Sequence, residues 1–284
     1  MTFKNAFAIL LFLWFGLLPV FTYAQTELNF GVYTSDKPTE MVRKFRPLLK
    51  AIESNVSESF GKPIKIRLQV FRNYELGIEG LVSGRVDFAR FGPASYVEAK
   101  RINPNLRILA LESKQGEKVF QGVICVREDS AIQQVADLRG KSFAFGDPRS
   151  TIGRYLSQQY LIEHSIKSSD LAHYQYLGRH DKVGMAVGAG QFDAGALKES
   201  TFKKLLDKKV PIRAIATFPN VTKPWIARSG LSEPIYYALR RALLNMRDPV
   251  ALKGIKKDGF LPGDETDFVT IRKAIEHNSA FFGK

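Results

Sequence analysis

The sequence predicts an α/β protein folded as two lobes, and three observations carry that prediction. Strand-like and helix-like segments alternate from Leu28 to His277. A Gly-x-apolar-Asp unit recurs at an offset of 106 residues. About 260 residues remain after an N-terminal apolar leader, more than one typical domain needs.

The leader comes first. Lys4 supplies a positive start, Ala6 to Phe21 is almost wholly apolar, and Thr22-Tyr23-Ala24 ends in a small residue. Residues 1–24 therefore read as a secretory signal cleaved after Ala24, with Gln25 as the mature N-terminus and the periplasm as destination. A membrane anchor is the rival reading, but the run is about 16 residues where a span needs roughly 20, and no second apolar run follows. The residue directly after the cleavage site is Gln25 and not a cysteine, which argues against a lipid anchor.

The elements then follow in order. Leu28 to Tyr33 reads as a strand, Ser35 to Pro38 as a turn, and a helix opens at Thr39. Met41, Phe45, Leu48, Leu49, Ile52 and Val56 recur at helical spacing and make one core-facing stripe. Ile64, Ile66, Leu68 and Val70 alternate with polar residues, as in a strand with one covered face. A helix near Tyr74 to Ser83, a short strand at Val86 to Ala89 and a helix opening at Pro93 complete the first series. Beyond it, Val123 to Val126, Ser142 to Phe145, Tyr174 to Leu177 and Phe192 to Ala196 are strands separated by helices. Ile212 to Phe218 returns as a strand, and Pro234 to Asn245 and Asp267 to His277 are helices with starts at Ser232 and at Asp264 or Thr266.

The repeated unit is Gly84-Arg85-Val86-Asp87 and Gly190-Gln191-Phe192-Asp193. In each copy glycine caps a helix in the left-handed region and apolar residues start the next strand. Chance together with ordinary capping chemistry explains the same pattern, since glycine after a helix is common. One unit per lobe assigns residues 25–117 and 217–284 to a first lobe and 118–216 to an inserted second lobe. No long flexible linker is present, so two crossing strands should join them. Cys125 is the single cysteine and lies in an apolar run, where a buried free thiol is expected rather than a nucleophile.

Without the leader, 41 basic side chains face 28 acidic ones, a formal charge of +13 that attracts anions. A basic surface suited to anionic membranes is the alternative reading of that charge. Nucleic acid is not expected as a partner, because zinc-ligand spacing, an RNP-like motif and a recognition-helix signature are all missing. His164, His173 and His277 have no ligand-type neighbours, so neither a metal nor another cofactor is called for.

Chemistry concentrates in Gly146-Asp147-Pro148-Arg149-Ser150-Thr151-Ile152-Gly153, a strand passing through a polar turn into a helix. The first N–H groups of a helix have no intrahelical acceptor, and hydroxyl residues there make an anion seat. His180-Asp181 repeats the arrangement at the next helix start, so two helix openings can converge on one oxyanion. Gly153 permits close approach of a ligand, and His180 is a tunable donor. Each residue also has a plainer role open to it: Ser150, Thr151 and Ser95 as helix-start residues, His180 as a turn histidine, Tyr74 and Tyr96 as packing. Arg149 and Arg179 flank the two loops and suit long-range attraction better than direct contact.

The line Tyr74 to Gly84, then Val86 to Tyr96, then Gly146-Asp147-Pro148-Arg149-Ser150-Thr151, then Gly178-Arg179-His180-Asp181 to Gly190, resembles the phosphonate-binding family of periplasmic solute-binding proteins. The resemblance spans nearly all of the mature chain. It implies a two-lobed type II periplasmic binding protein fold, each lobe a mixed sheet flanked by helices, that closes on a ligand and presents it to an ABC permease. On the matching positions it implies that Ser150 and Thr151 grip phosphonyl oxygens, that His180 donates to them, and that Tyr74 faces the ligand from the other lobe. Ser95 and Tyr96 belong to the same matched line. Ile152 stands where many members have serine, which removes one hydroxyl and keeps the backbone N–H. An aromatic hydroxyl of aminophosphonate-binding members becomes Phe120, and the carboxylates that hold a substrate amine fall near Ser200 and Lys223. A small uncharged or anionic ligand is favoured over an aminoalkylphosphonate.

The leading expectation is thus a monomeric receptor that captures phosphonate, phosphite or phosphate for import, not an enzyme. A periplasmic sensor subunit with the same fold is the alternative. A hydrolase with Ser150 as nucleophile, His180 as base and Asp147 or Asp181 as orienting carboxylate is the minor one, disfavoured because no Gly-x-Ser-x-Gly elbow is present.

Overall fold

A computed structural model describes residues 26–34 and 38–284. The leader and most of the turn at Ser35 to Pro38 lie outside the described residues. The chain runs β1 (Thr26–Tyr33), α1 (Pro38–Phe60), β2 (Ile64–Phe71), α2 (Tyr74–Val82), β3 (Phe88–Arg90), α3 (Pro93–Ile102) and β4 (Arg107–Ser113). There follow β5 (Val119–Arg127), β6 (Ser142–Phe145), a π-helical turn (Thr151–Leu156) leading into α4 (Ser157–Glu163), β7 (His173–Tyr176), α5 (His180–Gly188), β8 (Ala194–Lys198), α6 (Glu199–Asp207) and β9 (Ile212–Val221). The last elements are β10 (Pro224–Ala227), α7 (Glu233–Leu244), α8 (Pro249–Lys253), β11 (Gly259–Leu261), a 3₁₀ turn (Glu265–Phe268), α9 (Val269–Glu276) and a final 3₁₀ segment (His277–Phe282).

Two mixed sheets result, as the two-lobed fold requires. One has the order β11-β4-β10-β3-β1-β2, with β1 parallel to β2 and β3 and the others antiparallel to their neighbours. The other is β7-β6-β8-β5-β9, with β6 parallel to β7 and β8, and β5 antiparallel to β8 and β9. Each sheet carries buried apolar clusters on both faces, so helices flank both sides. The stripe from Met41 to Val56 is wholly buried along α1, and Trp225, stacked on Phe30 at 4.6 Å between ring centroids, sits in the same core. Cys125 is buried too, and burial pushes its thiol up to about 12.

The two glycine–aspartate units are structurally equivalent. Gly84 and Gly190 both have positive φ, +78° and +72°. The Asp87 carboxylate accepts from the N–H of Asn29 in β1, and that of Asp193 accepts from the N–H and hydroxyl of Ser142 in β6, at 2.7–2.8 Å. This bonding explains a shift from the expected strands. Val86 and Gln191 donate back to the preceding helix, so β3 and β8 begin two residues later than Val86 and Phe192.

The two sheets are joined by the passage from β4 to β5 and from β9 to β10, which meet where the N–H of Thr222 donates to the Lys118 carbonyl at 2.7 Å. The expected boundary after residue 216 falls inside β9, which pairs with β5 through to Val221. The chain end also differs from its expected place among residues 217–284 of the first lobe. Phe268 packs with the six-stranded sheet, but Ile271, Ala274 and Phe281 enter the core of the five-stranded one, and Asn278 bonds Gln158 and Arg154 there. Helix α9 accordingly lies against both α3 and the π-helical turn. Among the described residues no helix is long and apolar enough to cross a membrane.

Candidate functional site

The carboxyl ends of the parallel strands of both sheets supply most of the lining of one small cavity between the lobes. From the first sheet come Tyr33 at the end of β1, Tyr74 at the start of α2, and Gly92 and Pro93 where β3 passes into α3. From the second come Ser150, Thr151 and Ile152 after β6, His180 after β7, and Lys198 ending β8. Phe120 in β5, Asn220 in β9 and Lys223 before β10 close the hinge side.

Local chemistry fixes these positions. Asn73 caps α2 by accepting from the N–H of Leu76 at 2.9 Å, which sets Tyr74 as its first residue. Tyr74 stacks on Tyr33 with centroids 3.9 Å apart. The Tyr33 hydroxyl accepts from the N–H of Gly92 at 2.6 Å and donates to Ser95 at 2.9 Å, while burial pushes its pKa up to about 12. On the other side Ser150 is the N-cap, its hydroxyl oxygen accepting from the N–H of Gly153 at 3.0 Å. The carbonyl of Ser150 then accepts from both Arg154 and Tyr155, at 3.0 and 3.3 Å, widening the first turn to π geometry. The N–H groups of Thr151 and Ile152 have no intrahelical acceptor in such a turn and face the cavity end of the helix.

A hydrogen bond joins the lobes at the site: the N–H of Ala94 in α3 donates to the Thr151 hydroxyl oxygen at 2.8 Å. Arg149 reaches across beside it to Glu98 in α3 and to Glu75 in α2, the latter at 3.3 Å. Arg149 thus links the lobes rather than lining the cavity. Arg179 forms a bidentate pair with Asp181 at 3.0 Å, and neither residue lines the cavity. Asp147 holds the N–H of Arg149 at 2.7 Å, and burial raises its pKa.

Five of the expected residues meet in the cavity: Ser150, Thr151, Ile152, His180 and Tyr74. Three do not. Gly153 gives its N–H to Ser150, and its bare Cα is needed for packing, because a Cβ there would lie 2.7 Å from the Cα of Gly146. Ser95 sits one layer back, holding the Tyr33 hydroxyl. Tyr96 points the other way along α3, its ring against Phe268 at 4.6 Å and its hydroxyl donating to Glu265. Ser200 is exposed on α6, and Lys198, two residues earlier, lines the cavity instead.

Tyr33, Lys198 and Asn220 are cavity residues that the sequence reading misses. The first two end strands whose parallel partners run the same way, which is a usable signal once the sheet order is known. Asn220 offers none, since it is one polar residue in a strand of mixed character. Behind the hinge wall, Arg90 and Glu112 form a buried bidentate pair at 2.7 and 3.0 Å, joined by the Trp225 indole N–H at 3.3 Å. Burial alone would raise the Glu112 pKa, but the Arg90 guanidinium overrides it and holds the carboxyl down to about 2.

A two-lobed α/β chain with helix openings from one lobe and stacked tyrosines from the other around an interlobe cavity has the form of a periplasmic solute-binding protein. This chain belongs to the phosphonate-binding family: the family model described as ABC transporter, phosphonate, periplasmic substrate-binding protein matches residues 30–268. It is 28% identical over 192 residues, 64% of the chain, to the phosphate-import protein PhnD of Mycolicibacterium smegmatis. It is 26% identical over 195 residues, 61% of the chain, to a probable ABC transporter phosphite binding protein, PhnD1, of Prochlorococcus marinus. The matched stretches span 58% and 64% of those relatives' own lengths. Among solved structures, PhnD1 from Prochlorococcus marinus in complex with methylphosphonate superposes with a TM-score of 0.79 at 20% identity, covering 88% of this chain and 97% of that one.

Proposed function

We propose that this chain captures a small phosphorus oxyanion, a phosphonate, phosphite or phosphate, in the interlobe cleft and delivers it to an ABC permease after export to the periplasm. The carrying observation is the convergence of Ser150, Thr151, Ile152 and His180 from two helix openings on one cavity roofed by Tyr74. A tetrahedral oxyanion spreads its charge over several acceptor oxygens, so a dense cluster of donors suits it better than one strong cation. The Ser150 and Thr151 oxygens each already accept a backbone N–H, which turns their own protons outward for donation. With the N–H groups of Thr151 and Ile152 and the His180 ring, they form the oxyanion cradle. The relatives named for phosphate import and phosphite binding, and the methylphosphonate complex of a similar fold, support this ligand class.

The reading includes action as a monomer without turnover. The Ser150 hydroxyl serves as a helix cap, a duty at odds with that of a nucleophile. The test is titration calorimetry and thermal denaturation of the purified protein with phosphite, phosphate and methylphosphonate. At 100 times Kd a ligand stabilises the fold by about 2.7 kcal/mol, an easily read rise in Tm. No shift and no heat with any of the three at millimolar concentration overturns the assignment. Sensing in place of import is distinguished by uptake of labelled anion, which deletion of an import receptor abolishes.

A further inference from the structure

The oxyanion cradle occupies one wall of the cavity, and the hinge wall opposite it has a different chemistry. Asn220 is 3% exposed and lines the cavity, yet among the described residues neither its amide nitrogen nor its carbonyl oxygen has a hydrogen-bond partner. A buried amide in that state is costly and marks a position waiting for a polar group. Lys223 stands beside it with its ammonium 4.1 Å from the centre of the Phe120 ring, a face that tolerates a cation and offers it no counter-charge. Lys198 lines the same cavity. The nearby carboxylate, Glu112, is committed bidentately to Arg90. None of the twelve lining residues is an aspartate or a glutamate.

We propose that Asn220 and Lys223 form a second subsite, for an anionic group at the far end of the ligand, so that the preferred ligand is a short phosphonocarboxylate. The inference rests on the phosphorus-oxyanion reading, because the phosphonyl end is what the Ser150–Thr151 cradle takes. The far carboxylate accepts from the Asn220 amide and from the Lys223 ammonium, supplying the acceptor that the site itself lacks. An aminoalkylphosphonate brings a second cation to the same wall and is rejected by charge repulsion.

Titration calorimetry at pH 7.5 with methylphosphonate, phosphonoacetate and 2-aminoethylphosphonate separates the possibilities. Phosphonoacetate is expected to bind at least about tenfold tighter than methylphosphonate, and 2-aminoethylphosphonate at least about tenfold more weakly, each step equal to about 1.4 kcal/mol. Lys223→Glu is expected to invert the order of the two charged ligands, an outcome that misfolding cannot produce, and Asn220→Leu to reduce the preference for phosphonoacetate. Phosphonoacetate and methylphosphonate binding equally to the natural protein, or 2-aminoethylphosphonate binding best, overturns the second subsite while leaving the oxyanion cradle intact. Failure of all three ligands and of phosphate and phosphite overturns both.

Discussion

Replacing Thr151 by valine removes one oxygen while keeping the side-chain shape, and that oxygen has two tasks. It accepts the N–H of Ala94 across the cleft at 2.8 Å, and it directs a proton toward the ligand position. In the open form water satisfies the Ala94 N–H, so the mutation costs little there. In the closed form the N–H faces a methyl group, a loss of about 1 to 3 kcal/mol for an unsatisfied buried donor. The missing hydroxyl contact to a charged ligand costs about 1.5 to 3 kcal/mol more. Because one oxygen does both, the terms overlap, and a total of about 2 to 4 kcal/mol follows, a weakening of roughly 30- to 1000-fold. Titration calorimetry measures the affinity, and small-angle scattering with and without ligand measures closure. Thr151→Ser restores the oxygen and should recover most of the affinity. A Thr151→Val protein that binds within threefold of the natural one, or a serine variant as weak as the valine, refutes the reasoning.

Further outcomes follow from other contacts. Glu98→Gln cuts the Arg149 link between lobes; the pair is partly exposed, at 34% and 19%, so about 0.5 to 1 kcal/mol is lost. The resulting two- to fivefold loss of affinity should fade at 0.5 M salt, and a loss independent of salt counts against an electrostatic link. Glu112→Gln strands a buried arginine and should lower the unfolding free energy in urea by about 3 to 5 kcal/mol. The Glu112 carboxyl sits at about 2 in the fold against an ordinary 4.5, so its stabilisation is complete above 4.5 and lost as pH falls toward 2. The variant should therefore show a flatter acid limb, and an unchanged limb assigns acid sensitivity elsewhere. Burial first, then Arg90 and Lys198, hold the Lys223 pKa well below the usual lysine range. An anion at the hinge wall raises it again, so binding takes up protons between the two values. Phosphonoacetate titrated in buffers of differing ionisation enthalpy should reveal that uptake, and its absence removes Lys223 from the contact.

Much of the scaffold was legible because local chemistry dictates it. The α1 stripe repeats at helical period with no interruption, and each glycine–aspartate unit pairs a left-handed cap with a carboxylate that bonds a neighbouring parallel strand. Ser150 and Thr151 could be read as cavity residues because helix openings expose donors whatever surrounds them. Ser95 and Tyr96 could not be sorted, since neighbours on a helix project about 100° apart and only packing reveals that one meets Tyr33 and the other Glu265. Lys198 and Asn220 reach the site through the antiparallel pairing of β8, β5 and β9, a long-range arrangement that no local pattern encodes. The strands β10 and β11 are too short to show a period, although Trp225 in β10 is the largest fully buried side chain.

The chain's last passage between sheets, from Phe268 to Ile271, alters what opening means mechanically. Paired ribbons alone leave a clamshell free to swing and to twist. A third thread, anchored on one side by Tyr96 and Lys100 at Glu265 and on the other by Asn278 at Gln158, restrains the twist. The packing of α9 against α3 on one side and the π-helical turn on the other thus ties both sheets together at the tail of the polypeptide, outside the ligand's own contacts.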